Sequence, residues 1–287
     1  MLLAGCSDDL QLSGGRDAEI RFNVDTWQVM GTRAVTFDSQ SALQTKAHFM
    51  CHVYNDDTTT PYFTATTVDY DEEWTFHDGR HNWPSAGALD FFAYMPVVLP
   101  AYITEVTYAA NNPQFTCASL PTTTAGQASL EEFIYAFKAD QTKDGGGENQ
   151  PTPGAVALTF QHPFARLYFK LSENSSKNLT INSITIGGVK TGGSYSRTSG
   201  WTDQSGSADL VVTGVGNTPY LAVPYNYAAS KEITVNATWD YWGETITDDI
   251  SATLPAVNWQ AGYSYTYNLT INKSSLIVDV NKFTEQW

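Results

Sequence analysis

Apolar and polar residues alternate in short runs along most of this chain, and the stretch from Ala18 to Phe37 carries the clearest example. Ile20, Phe22 and Val24 alternate with polar neighbours, which is the period-2 pattern of a half-buried β-strand. Similar runs, rich in Thr, Val, Tyr, Ile and Phe, recur between clusters of Gly, Asn, Asp, Ser and Pro. Helical periodicity is hard to find. The pattern therefore predicts an all-β protein.

A single basic residue lies between two such runs near the start of the chain. Arg33 follows a Gly-Thr pair, and Val35 and Phe37 then resume the alternation as a second short strand. A trypsin-like protease would cut this junction between Arg33 and Ala34. An ordinary strand, turn and strand would give the same pattern, so these residues leave both interpretations open.

Composition limits the size, partners and location of the protein. Its 287 residues are enough for two domains, each with its own core. Thirty acidic residues against fifteen basic ones give a formal net charge of -15, so most of the surface would repel a polyanion and nucleic acid is excluded as a partner. No apolar run is long enough to cross a bilayer as a helix.

A polar segment divides the chain into two series of short strands. It extends from Lys138 to Gly154 and contains a Gly triplet and two prolines, which is typical of a domain boundary. The triplet lacks the GK[ST] ending of a phosphate-binding loop, so we interpret it as a linker. The two series show no internal repeat, and they predict two β-sandwiches in tandem.

The first residues match a bacterial lipoprotein signal. Leu3-Ala4-Gly5-Cys6 fits the lipobox, in which the signal peptide is removed before Cys and the thiol receives a diacylglycerol. The segment before Cys6 is too short for a complete signal peptide, so we infer that the true start lies upstream. A lipid on Cys6 would supply a membrane anchor. Ser7-Asp8-Asp9 resembles the acidic signal that directs such lipoproteins to the outer face of the outer membrane in Bacteroidetes-type bacteria.

Two pairs of histidines have the spacing of metal ligands on a helix. His48 and His52 are four residues apart, as are His77 and His81. The first pair falls in a predicted strand, where residues four apart are not neighbours, and the second pair falls in a loop. We therefore interpret all four as solvated or capping histidines and predict no metal site.

No group of residues predicts catalysis. Asp69, Asp71, Glu72 and Glu73 could supply the two carboxylates of a glycosidase, but these must face each other across a cleft, and a contiguous run is more typical of a solvated turn. Ser and His residues occur without a motif that pairs them. We predict that the protein is not an enzyme and binds no cofactor.

Two further cysteines fall on the apolar sides of predicted strands. Their positions favour buried free thiols at Cys51 and Cys117. A disulfide between them would need Cα atoms less than about 7 Å apart, and that possibility stays open.

The end of the chain is a further alternating run. Leu276, Val278 and Val280 share one face of a predicted strand, and this face is similar to the apolar face of the first strand. The polar spacer from Asn272 to Ser275 precedes it. We therefore expect that this strand can extend free of its own domain.

Five longer motifs follow one another along the chain. They are WP from Trp83, LDFFAYMP from Leu89, EFIYA from Glu132, VALTFQHPFARL from Val156, and WQAGYSYTY from Trp259. With the lipobox and Thr32-Arg33-Ala34, they resemble in identity and order the motifs of the fimbrillin-like pilins that build type V pili in Bacteroidales-type bacteria. The resemblance covers nearly the whole chain. Because most of these motifs are core strands, they identify the fold more firmly than the role.

This resemblance implies two tandem antiparallel β-sandwich domains of the transthyretin-like type. The implied divisions are a signal remnant and removable first strand at 1–33, an N-terminal sandwich at 34–150, a C-terminal sandwich at 151–274 and a candidate donor strand at 275–287. It also implies an outer membrane lipoprotein at the cell surface that an Arg-specific protease cuts after Arg33. Subunits of this family polymerise by donor-strand exchange into a fimbria that supports adhesion.

The resemblance assigns two strands to this exchange. The removable strand would carry Ile20, Phe22 and Val24, and the donor strand would carry the apolar face of residues 276 to 280. Removing a strand leaves unpaired backbone groups and exposed core side chains, which an extended donor can satisfy. The implied partners are other pilin subunits in a homopolymer or heteropolymer, the outer membrane through a lipid on Cys6, and host or bacterial surface ligands.

Two alternatives stay open. A surface glycan-binding lipoprotein would be monomeric and would use some of the eight tryptophans as an exposed aromatic platform. A pilus tip or anchor subunit would share the fold but lack a usable donor strand or cleavage site.

Overall fold

The computed structural model describes residues 19–26, 48–145, 154–172, 178–216, 218–227, 231–272 and 275–286. These residues form twenty-one β-strands and one short helix, which confirms the prediction of an all-β protein. Within the described ranges, no helix is long and apolar enough to span a bilayer. Cys6, Arg33 and Ala34 lie outside these ranges.

The elements of the N-terminal half end with the strand that follows the polar segment. They are β1 (Arg21–Thr26), β2 (His48–Asn55), β3 (Pro61–Asp71), β4 (Glu73–Phe76), β5 (Leu89–Met95), β6 (Ile103–Ala109), β7 (Asn112–Cys117), α1 (Thr124–Ala128), β8 (Ile134–Gln141) and β9 (Ala155–Phe160).

The elements of the C-terminal half are all strands. They are β10 (Ala165–Leu171), β11 (Leu179–Val189), β12 (Gly192–Ser196), β13 (Gly200–Ser205), β14 (Ala208–Val212), β15 (Tyr220–Ala222), β16 (Asn226–Tyr227), β17 (Glu232–Tyr241), β18 (Glu244–Thr253), β19 (Val257–Asn258), β20 (Tyr263–Asn272) and β21 (Ser275–Gln286).

The first sheet closes around its own core. Its seven strands lie in the order β8, β5, β2, β3, β4, β1 and β9. The two ends of this order meet, because Tyr135 of β8 and Gln161 beside β9 exchange backbone hydrogen bonds of 3.2 and 2.7 Å. Inward side chains from alternate positions fill the interior, and the largest of them include Phe49, Phe91 and Phe160.

Two four-stranded sheets enclose a second core. One has the order β15, β10, β20 and β21, and the other has the order β14, β11, β17 and β18. Phe169 and Tyr267 of the first of these sheets stack with ring centroids 5.3 Å apart. The indole of Trp259 donates a hydrogen bond of 2.8 Å to the Tyr267 hydroxyl, so the buried polar groups of these two side chains satisfy each other.

The two halves of the chain share a fourth sheet and a third core. Strands β13 and β12 extend the sheet of β7 and β6, with Gly193 opposite Cys117 and Ser196 opposite Gln114. Beneath this sheet, Phe133 from the first half belongs to the same buried cluster as Val223 from the second. The halves therefore are not independent sandwiches, because each contributes strands and side chains to a joint structure.

Strand β9 lies in a different sheet from the one that the predicted domain boundary implies. The boundary at 150 assigned Ala155–Phe160 to the C-terminal domain, whereas β9 pairs with β1 in the first sheet. Val156, Leu158 and Phe160 face the first core, so the chain returns to that sheet after the polar segment. The change of sheet comes after Phe160, at the start of β10.

The C-terminal strand is docked on its own domain. Strand β21 runs antiparallel to β20, from Ser275 opposite Asn272 to Gln286 opposite Tyr263. From the sequence we expected that this strand can extend free of its own domain after the polar spacer. In the structure, Leu276 and Val278 are instead buried in the second core.

Cys51 and Cys117 are buried free thiols, as the alternating pattern predicted. Burial raises the pKa of the Cys51 thiol, and it raises the pKa of Cys117 to about 12. Both thiols therefore stay protonated near neutral pH and are poor nucleophiles.

Candidate functional site

Strand β1 occupies an internal position in the first sheet. It runs parallel to β9, from Arg21 opposite Ala155 to Thr26 opposite Phe160. On its other side lies β4, which is antiparallel to it and shares one registered pair, Phe22 opposite Trp74. The backbone pairing of β1 is therefore unequal on its two edges: it forms a full ladder of registered pairs with β9 but only one registered pair with β4.

The inward face of β1 is part of the first core. Ile20, Phe22 and Val24 are all buried, as their alternation predicted. The ring of Phe22 makes edge-to-face contacts, with centroid distances of 5.7, 5.1 and 5.9 Å, to Phe49, Phe76 and Phe91. Burial of each of the three side chains contributes about 1.5 to 3 kcal/mol, so β1 is an integral part of the uncleaved fold.

An open cleft of about 770 Å³ runs along β1 and is lined by residues of both neighbouring strands, β4 and β9. Asn23 and Asp25 line it from β1, and the turn at Glu72 lines it from the opposite side, together with Trp74. The cleft opens where the registered pairing with β4 stops, because β4 begins at Glu73 and is only four residues long. At Glu72, whose φ is 63°, the chain turns from the end of β3 into β4.

Removal of β1 would convert this cleft into a slot through the sheet. Strand β9 would lose its neighbour from Ala155 to Phe160, and the pockets of Ile20, Phe22 and Val24 would be open to water. An extended segment with apolar residues at every second position fits such a slot, since it restores both the backbone ladder and the core contacts.

The predicted donor residues pack into the second core of the same chain. Leu276 and Val278 are each 8% exposed, and Val280 packs against the same cluster. Ile277, on the opposite face of β21, is 55% exposed. Strand β21 lies at the edge of its sheet and pairs there with β20 alone, so its departure would break one ladder and withdraw Leu276 and Val278 from the second core. The structure therefore does not bring the donor residues to the cleft of the same chain.

The described tryptophans do not form the platform that the glycan-binding alternative requires. Trp242, in the turn between β17 and β18, is 90% exposed. Trp201 is half-buried and its indole donates a hydrogen bond to the carbonyl oxygen of Pro163. The remaining four described tryptophans are buried: Trp74, Trp83, Trp239 and Trp259.

The histidines and carboxylates singled out in the sequence make contacts with nearby residues and form no shared site. His77 Nδ1 lies 2.6 Å from Asp69 Oδ2, and His81 Nε2 lies 2.9 Å from Asp78 Oδ1. His52 instead lies between aromatic rings, and burial lowers its pKa. The run of carboxylates from Asp69 to Glu73 surrounds the β3–β4 turn, as expected for a solvated turn.

Three other carboxylates meet at the surface. The side chains of Asp56, Asp57 and Asp140 place one oxygen each within 4.8 Å of one another. Beneath them, the buried Asp90 carboxylate accepts hydrogen bonds from the backbone N–H groups of Asp57 and Asp140. A hydrogen bond to Asp140, aided by burial and by the neighbouring negative charges, raises the pKa of Asp56 to about 6.

This raised pKa predicts a pH dependence of stability. Between about pH 4 and pH 6 the folded chain holds a proton on Asp56 that the unfolded chain has released, so stability falls as pH rises through this window. Asp56→Asn should therefore lose less stability than the parent between about pH 4 and pH 7, as measured by urea unfolding. Asp71→Asn, which changes an exposed carboxylate outside the cluster, serves as the control and should follow the parent.

One buried ionic group was not predicted. Glu132 Oε1 lies 3.0 Å from His162 Nδ1, Glu132 Oε2 lies 3.5 Å from Arg166 Nη2, and all three side chains are fully buried. Glu132 precedes β8 and Arg166 lies on β10, so the group joins the first sheet to the second. Its signal in the sequence is the presence of charged residues inside otherwise apolar motifs, EFIYA and HPFARL.

Comparison with known proteins identifies relatives of the same architecture. A family model described as fimbrillin-like matches residues 32–287. A fimbrial protein from Bacteroides vulgatus ATCC 8482 has a similar crystal structure, with a TM-score of 0.66, 15% identity, and coverage of 93% of this chain and 99% of that one. A candidate cell adhesion protein from Bacteroides uniformis ATCC 8492 has a TM-score of 0.57 at 18% identity, with coverage of 94% and 98%. No curated protein matches the chain.

Proposed function

This chain belongs to the fimbrillin-like family, and from that premise we propose that it is a structural subunit of a cell-surface fimbria that supports adhesion. The observation that carries the proposal is the place of β1 in the first sheet. Strand β1 precedes Arg33 in the sequence, so one cut after Arg33 separates it covalently from all the other strands of the described ranges. Only noncovalent contacts then hold it between β9 and β4.

In this proposal the chain reaches the cell surface as a lipoprotein. Cys6 carries the lipid that tethers the precursor to the outer membrane, as the Leu-Ala-Gly-Cys sequence suggests. An Arg-specific protease then cuts between Arg33 and Ala34, and the segment that contains β1 departs with the lipid. The cut therefore couples release from the membrane anchor to opening of the slot.

The proposed assembly step is insertion of a neighbour's C-terminal strand into this slot. The chain's own donor would be β21, whose Leu276, Val278 and Val280 alternate like the inward face of β1. The asymmetry of β1 supports this step, because β1 shares only one registered pair with β4, so an incoming strand has to displace little pairing at that edge. Each subunit would then complete the next subunit's sheet.

Limited proteolysis tests the activation step. Trypsin treatment of the folded chain should cut first after Arg33, because a junction between two short alternating runs is expected to be exposed, whereas five of the other basic residues lie in paired strands. N-terminal sequencing of the large fragment should start at Ala34. Arg33→Gln should abolish this cut and leave other fragments unchanged. A dominant early cut within residues 138–154, with Arg33 intact, would contradict the activation step.

A further inference from the structure

The centre of the slot is a pocket for an aromatic ring. Phe22 is the middle one of the three inward residues of β1, and three phenylalanine rings surround it edge to face at 5.1 to 5.9 Å. The positions on either side hold the aliphatic residues Ile20 and Val24. The slot thus has a fixed order of pockets along the strand, which is aliphatic, aromatic and aliphatic.

The inward face of β21 offers no aromatic residue for this pocket. If Leu276, Val278 and Val280 occupy the three pockets in order, Val278 takes the place of Phe22, and the same holds when the strand direction is reversed. Moving the strand by two residues places Leu276 in the central pocket but gives an outer pocket to Ser274. Moving it the other way gives an outer pocket to Lys282.

The opposite face of β21 is also a poor fit. It presents Ile277, Asp279 and Asn281, and the next position of the same alternation in the sequence is Phe283. Any register that places Phe283 in the central pocket gives an outer pocket to Asn281, and an amide there would lose its hydrogen bonds to water among apolar side chains. No register of β21 therefore supplies an aromatic residue between two aliphatic ones.

We propose that the slot left by β1 selects a donor strand with an aromatic residue at its central inward position, and that its preferred partner is a different subunit from this chain. The proposal rests on the proposed strand exchange. A valine in place of Phe22 leaves a void among three rings, and such voids are costly because the surrounding core closes around them only partly. This chain's own strand can enter the slot, but it binds more weakly than an aromatic donor.

Binding of synthetic strands to the cleaved chain tests this selectivity. The chain is cut after Arg33, the released segment is removed, and the affinities of four labelled peptides are measured by fluorescence anisotropy. The first peptide carries residues 19–26 and the second carries residues 275–286. The third and fourth carry residues 275–286 with Val278→Phe and with Ile277→Phe, which place the same ring on the inward and the outward face.

The Val278→Phe peptide should bind at least about tenfold more tightly than the unchanged 275–286 peptide, which corresponds to about 1.4 kcal/mol. The Ile277→Phe peptide should show no such gain, because its ring points away from the pocket. Equal affinity of the Val278→Phe and unchanged peptides, or an equal gain from Ile277→Phe, would overturn the selectivity. Failure of the 19–26 peptide to bind would overturn the strand-exchange function itself, so the two failures are distinguishable.

Discussion

Phe22→Ala is expected to lower the free energy of unfolding of the uncleaved chain by about 3 to 5 kcal/mol. The side chain is buried at the centre of β1 and contacts three rings, so its truncation removes apolar burial and leaves a cavity in the first core. Urea unfolding followed by tryptophan fluorescence measures this loss, because Trp74 lies in the same cluster. The variant should also release the N-terminal segment faster after cleavage.

Asn23→Ala is the matched control for this experiment. Asn23 is the next residue of β1, it is exposed, and it lines the cleft instead of the core. Its truncation should change the free energy of unfolding by less than about 0.5 kcal/mol. Equal losses in the two variants, or a loss below about 1 kcal/mol for Phe22→Ala, would show that β1 is not held through its inward face.

Glu132→Gln is expected to have an effect of similar size for a different reason. The substitution keeps the shape of the side chain but removes the negative charge next to Arg166, which is fully buried. Breaking a buried ion pair on one side costs about 3 to 5 kcal/mol, because the remaining charge stays away from water. At roughly 2 to 4 °C for each kcal/mol, the melting temperature should fall by roughly 10 °C.

Two further variants separate charge loss from general damage. Glu131→Gln makes the same chemical change one residue earlier, at a side chain that is only half-buried, and should alter stability by less than about 0.5 kcal/mol. Adding Arg166→Met to Glu132→Gln removes the buried charge as well, so the double variant should regain part of the lost stability. A single variant as stable as the parent would show that the ionic group does not hold the two halves together.

The alternating pattern was enough to predict that the protein is all-β and which residues of its first strand face inward. Ile20, Phe22 and Val24 lie in the core because side chains on a strand alternate between faces, which is a local property. The free, buried thiols at Cys51 and Cys117 follow from the same local rule.

Pairing between distant strands could not be predicted in this way. The parallel partner of β1 is β9, which lies more than a hundred residues later in the sequence, and β12 pairs with β7 across the two halves. Periodicity shows which side of a strand faces a core, but it does not show which core. For this reason β9 was assigned to the C-terminal domain, and the shared third core was not anticipated.

The packing of the predicted donor strand could not be predicted from the sequence either. Its apolar face was identified from the sequence, but the structure packs Leu276 and Val278 into the chain's own second core. A charge at position 278 would therefore disturb the uncleaved chain as well as the assembly, because it would lie among buried apolar residues. A test of assembly is clearer when it relies on the cut at Arg33 than on a substitution in β21.

The mass of the protein in solution, before and after a cut at Arg33, tests the fimbrial account most directly. Size-exclusion chromatography with light scattering and intact mass spectrometry should show monomers for the uncleaved chain and for protease-treated Arg33→Gln. The cleaved chain should lose its N-terminal segment and form oligomers whose mass rises with protein concentration. A cleaved chain that retains the segment containing β1 and stays monomeric at every concentration would contradict assembly by strand exchange.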